Sequence, residues 1–173
     1  MSRFRHWFKT GDFAWLLFVA VLIVNAPEKN YQAFILLPLI GAFQIVEPRL
    51  KIFRSRGGQV ASLALKMVLS YLLVGWSHAL VSYYYQIFLI PVVSAATTFE
   101  LLGVITVTVI AGLAYFSFWL PIFEYDRSQL PPDQVSVMSL RVAFFAIVAF
   151  LVYEQERETI ANGAHRRGGG AVG

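Results

Sequence analysis

Three histidines, His6, His78 and His165, and no cysteine make up the imidazole and thiol stock of this 173-residue chain. The histidines lie too far apart to grip a metal from one helical face, and without cysteine there is neither a thiolate site nor a disulfide. The sequence holds no phosphate-cradling glycine loop, no HExxH and no GxSxG. Carboxylates do not pair inside any apolar stretch, so a proton- or cation-coupled pump has little to work with. The pattern argues against an enzyme, and no cofactor is expected. His78 has three readings: an imidazole bonded to a backbone carbonyl, a pH- or ligand-sensing group, or an axial ligand to a haem or chlorophyll-type macrocycle. The last is the weakest, because no second histidine sits on a facing apolar stretch.

The polar and aromatic residues that border the apolar stretches therefore become the candidate site. His78, Tyr83, Tyr84, Tyr85, Gln86, Tyr115, Trp119 and Arg141 sort to one end of their stretches. Three consecutive tyrosines point in different directions around a helix, so at least one faces its neighbours. A shallow mouth of Tyr, Trp, Gln and Arg suits a small amphipathic or anionic ligand; an interfacial aromatic belt is the plainer alternative. Arg141 lies roughly 7–8 Å inside the last stretch. It either snorkels to the headgroups or faces inward to meet an acidic ligand or Glu124. At the opposite end, Gln44, Glu47, Lys66 and Glu100 are the polar residues, and Lys66 reads as a snorkelling lysine. Arg49, Lys51, Arg54 and Arg56 form a basic segment suited to anionic headgroups or an acidic partner.

The elements that must hold these residues follow from composition. Hydrophobic residues make up 58% of the chain and charged ones only 14%, with a mean hydropathy of +0.64. Soluble domains run nearer to about 45–50% apolar and about 25% charged. Six apolar stretches, 8–26, 31–47, 60–81, 83–99, 101–122 and 136–153, approach the roughly 20 residues a membrane-spanning helix needs. The expected fold is an all-α integral membrane protein, a bundle of about six transmembrane helices. Six crossings place Arg3, Arg5 and Lys9, the Arg49–Arg56 segment, and Arg157, Arg166 and Arg167 on one side, which the positive-inside rule makes cytoplasmic. Both termini are then cytoplasmic, in a multi-pass protein of the bacterial inner membrane. No small-x-small cleavage site follows the first stretch, so it is expected to be retained.

Residues 1–153 are expected to form the membrane domain, 154–162 a short cytoplasmic helix, and the Gly-rich 163–173 a flexible tail. The partners this composition calls for are the lipid bilayer and other membrane protein subunits or a second copy of the chain, not nucleic acid.

Two runs carry a family resemblance: "SYYYQIFLIPVVSAATTFELLGVITVTVIAGLAYFSFWL" and "SLRVAFFAIVAFLVYEQERE". They resemble the multi-span membrane input domains at the N-terminus of bacterial sensor histidine kinases. The resemblance implies a tyrosine-rich entry, a small-residue turn, and an Arg-bearing last span that continues into a signalling helix. The chain carries no phospho-acceptor helix and no ATP-lid motif, so what is implied is a sensor module without its output. Two other readings share the six-span architecture: the small-molecule-binding subunit of an energy-coupling-factor type importer, and an accessory subunit of a respiratory or photosynthetic membrane complex.

Overall fold

Long apolar runs rich in Leu, Ile, Val and Ala form helices readily, and prolines, glycines and Ser caps decide where those helices stop. The computed structural model describes residues 10–24, 31–77, 82–120 and 133–168. Six α-helices are described: α1 (Thr10–Val24), α2 (Tyr31–Val46), α3 (Arg56–Trp76), α4 (Leu89–Thr98), α5 (Leu101–Ser117) and α6 (Asp133–Gly168). Short 3₁₀ turns occupy Glu47–Arg49, Lys51–Arg54 and Tyr83–Phe88. The chain divides into two compact units, Met1–Ile87 and Phe88–Gly173.

Each apolar stretch contains helix, with α3 starting before its stretch and α6 running past both ends of its own, but the six-span bundle does not survive. Only α3 and the Asp133–Asn162 part of α6 are both long and apolar enough to cross a membrane among the described residues. At about 1.5 Å per residue, the ten residues of α4 rise only about 15 Å, half of the roughly 30 Å hydrocarbon core. Helices α1, α2 and α5 have 15, 16 and 17 residues.

The causes are local. The stretch at 83–99 contains a 3₁₀ turn over Tyr83–Phe88, so α4 begins at Leu89 and Pro91 lies in its first turn. There the missing N–H costs nothing, since the first-turn donors have no partner within the helix. The same helix stops at Phe99, whose backbone is extended (φ −114°, ψ 160°). Pro48 sits in the 3₁₀ turn that ends α2. With six crossings gone, the multi-pass inner-membrane topology and the assignment of both termini to the cytoplasm go as well. So does the likeness to a multi-span sensor-kinase input domain, which rested on the same count.

In the first unit, α1 packs on α2 and α2 on α3, while α3 also meets the 3₁₀ turn at Lys51–Arg54. Ser55 caps α3, its hydroxyl accepting from the Gly58 amide at 3.1 Å. Gly58 is required by this turn: a Cβ there would stand 2.1 Å from the Ile52 carbonyl oxygen and 2.8 Å from Phe53 Cα.

In the second unit, α4, α5 and α6 pack against one another in all three pairs. Helix α6 continues through Gly163 to Gly168. It buries a single narrow stripe, Met138, Phe145 and Ala149, with Arg141 and Val142 half-buried along the same line. Gly112 lets α5 approach this stripe, since a Cβ there would lie 2.9 Å from Val142 Cγ1. Gly112→Leu is expected to lower stability by about 1–3 kcal/mol through overpacking. Adding Val142→Ala should recover most of that loss, measured by thermal unfolding in detergent.

Candidate functional site

A polar side chain inside an apolar helix must find a partner or carry its desolvation cost. Helix α3 shows how that demand is met. Ser62, Lys66 and Ser70 recur every four residues, so they share one face, and all three are buried. Val60, Leu65 and Val68 on other faces of the same helix are exposed. The polarity is therefore inverted relative to a soluble amphipathic helix, which turns its apolar stripe inward.

Each member of the stripe has a partner within the first unit. Lys66 Nζ lies 2.5 Å from Glu47 Oε2, with the lysine side chain only 3% exposed and the glutamate 20%. The Ser62 hydroxyl donates to the other carboxylate oxygen of Glu47. Ser70 Oγ donates to the Ile87 carbonyl at 3.3 Å. Where the helix ends, Ser77 Oγ donates back to the Leu73 carbonyl at 2.8 Å and sits 2.6 Å from Ser82 Oγ, which accepts from the Tyr84 amide. Gln44, one turn before Glu47, has a buried Oε1 with no hydrogen-bond partner among the described residues. Lys66 is thus an interior, ion-paired lysine, not a snorkelling one.

The second unit holds its polar group differently. Phe88, Tyr115 and Phe145 form a triangle of rings with centroids 6.1–6.2 Å apart. Two of its three contacts are edge-on, the geometry that the ring quadrupoles favour. Tyr115 is fully buried, and its hydroxyl accepts from Arg141 Nη1 at 2.5 Å. Arg141 therefore faces into its own unit, with its guanidinium on the rim of the aromatic cluster.

The residues expected to form one mouth are distributed between the units. Tyr115 and Arg141 are brought together. Tyr84, Tyr85 and Gln86 lie on the 3₁₀ turn that closes the first unit. Tyr84 is buried, which pushes its phenol above the ordinary value, while Tyr85 and Gln86 are half-buried. Trp119 is half-buried just beyond α5. His78, Glu124 and the side chain of Tyr83 lie outside the described residues. Of the basic segment, Lys51, Arg54 and Arg56 are exposed and Arg49 is half-buried. No group of three or more His, Asp or Glu side chains able to hold a metal occurs among the described residues.

Ser62 and Ser70 are site residues absent from the sequence-based candidates, and Glu47, though among those candidates, is not paired with Lys66 there. The signal was present in the four-residue spacing of polar side chains on an apolar helix. Comparison with protein-family models, curated proteins and solved structures finds no match to this chain. No relationship therefore supports a sensor-kinase input module, and that assignment is withdrawn. The importer-subunit and accessory-subunit readings, drawn on the same six spans, are withdrawn with it.

Removing one member of a buried ion pair leaves the other charged and unmatched. Lys66→Met is accordingly expected to lower stability by about 3–5 kcal/mol, and Glu47→Leu combined with Lys66→Met to recover most of it. Denaturation in detergent micelles reads these and the Glu47→Leu single variant, and a loss in the double variant equal to the sum of the two single losses would show that the pair is not coupled. Tyr115→Phe removes a hydrogen bond to a charged group and should cost about 1.5–3 kcal/mol in the same assay.

Proposed function

We propose that this chain is a non-catalytic, lipid-contacting helical protein. Its apolar exterior sits in a bilayer and packs against other membrane protein subunits or a second copy of the chain. One observation carries the reading. The most apolar 18-residue window of the Asp133–Asn162 segment has a mean hydropathy of 2.4, yet only 17% of that window is buried within the protein. A core helix of that hydropathy in a water-soluble protein would be covered by its own fold; this one leaves Leu140, Ile147, Phe150 and Leu151 more than half exposed. Contiguous apolar surface on this scale needs an apolar neighbour.

Helix α3 supports the same reading from the opposite direction. Its polar stripe is satisfied inside while Val60, Leu65 and Val68 point out, the arrangement that hydrocarbon demands because lipid offers no hydrogen bonds. Among the described residues, Glu47 is engaged with Lys66 and Ser62, and Tyr115 with Arg141. That is the basis for a binding and packing role over catalysis. Four basic residues beside an apolar helix fit an acidic membrane surface better than a nucleic-acid groove, which is tracked by cations on a polar face.

The chain has no cysteine, so single-cysteine variants give unique labels. Full-length Ile147→Cys and Val68→Cys, carrying an environment-sensitive fluorophore in reconstituted vesicles, should be quenched several-fold more by quenchers on lipid acyl chains than Glu156→Cys. Iodide quenching of the Ile147 and Val68 labels as complete as at Glu156 would place both positions in water and refute the proposal.

A further inference from the structure

The basic segment between α2 and α3 is a built surface, not a loose loop. Its two 3₁₀ turns, Glu47–Arg49 and Lys51–Arg54, are tied down at both ends. At the start, the Glu47 carboxylate is held by Lys66 and Ser62, two residues well inside α3. At the end, the Ser55 cap and the bare Cα of Gly58 let the Ile52–Phe53 backbone lie directly on the first turn of α3. Between them Phe53 meets Phe43 of α2 edge-on, with ring centroids 5.7 Å apart.

This fixed collar has an unusual surface. Lys51, Arg54 and Arg56 are exposed, and Arg49 reaches back to the Ile45 carbonyl at the end of α2. The only acid in the segment, Glu47, is engaged with Lys66 and so does not neutralise them. Interleaved with these cations, Leu50 is 42% and Ile52 73% exposed. Alternating cations and apolar side chains, at the foot of a helix whose own exterior is apolar, match the boundary where phosphates give way to acyl chains.

We infer that the collar from Glu47 to Arg56 binds the phosphodiester headgroups of anionic phospholipids, with Leu50 and Ile52 dipping into the acyl region beneath. Lys51, Arg54 and Arg56 supply the charge. Glu47, Lys66, Ser62 and Gly58 act as positioning residues that hold the turns against α3. The inference rests on the lipid-contacting reading of the preceding subsection.

The test uses the full chain in neutral detergent micelles, titrated with short-chain phosphatidylglycerol, short-chain phosphatidylcholine or inorganic phosphate and read by native mass spectrometry. Phosphatidylglycerol is expected to be retained preferentially. The combined Lys51→Gln, Arg54→Gln and Arg56→Gln variant should lose about a hundredfold in its affinity, at roughly fivefold per cation removed. Gly58→Val keeps every cation but displaces the turns, and should lose severalfold; its melting temperature, read alongside, shows that it is folded.

Equal retention of the two lipids, an unchanged affinity in the triple variant, or displacement of the lipid by equimolar inorganic phosphate would overturn the inference. Flotation with neutral phosphatidylcholine vesicles after alkaline extraction separates the two claims. A chain that floats but shows no headgroup preference defeats the collar alone, whereas one that never floats defeats the lipid-contacting reading beneath it.

Discussion

A lysine ammonium enclosed by apolar helices is tolerable only with a counter-charge at hand, and the first unit is arranged around meeting that need. Lys66 and Glu47 neutralise each other, and Ser62 takes a share of the same carboxylate. The pair fixes how the chain leaves α2, because Glu47 opens the 3₁₀ turn that follows it. It also fixes which face of α3 turns inward, since Ser70 lies on the same line as Lys66 and must be buried with it. Once that face is chosen, Val60, Leu65 and Val68 are left outside. A buried ion pair is a poor source of net stability compared with well-packed apolar residues. Its contribution here is orientation.

The second unit reaches a similar exterior with a different interior. Its core is three rings and a close α5–α6 approach permitted by Gly112. Helix α6 contributes only one thin stripe to that core, so most of its apolar surface faces away from the protein. Arg141 is the polar exception on this stripe, and Tyr115 gives it an acceptor without a formal negative charge. Thus one unit satisfies its cation with a carboxylate and the other with a phenol, and both leave hydrocarbon outermost.

How much of this could be read from the residues differs by feature. The helices were visible because each contains a mostly apolar run, and hydropathy reports such runs directly. Their lengths were not, because hydropathy is blind to whether the backbone within a run stays α-helical. Tyr83–Phe88 reads as one stretch with the residues after it, yet it turns as 3₁₀, and Phe99 breaks into extended backbone. That is how ten helical residues came to be counted as a span. Lys66 was misread for a related reason. Its partner sits before two tight turns in the chain, and only the folded path brings Glu47 back to it. The four-residue spacing of Ser62, Lys66 and Ser70 was legible and pointed to one face, but not to whether that face was in or out. For Arg141, the inward alternative was visible from the sequence, but the acceptor Tyr115 belongs to a different helix.

The bonds along α3 also impose an order on biogenesis. Glu47 leaves the ribosome before Lys66, so the carboxylate is already outside when the ammonium emerges. Ser70 must wait, because its partner, the Ile87 carbonyl, is synthesised later. Ile87 is also the final residue of the first unit. Every hydrogen bond described for the stripe can therefore be completed once the first unit has emerged, without any residue of the second.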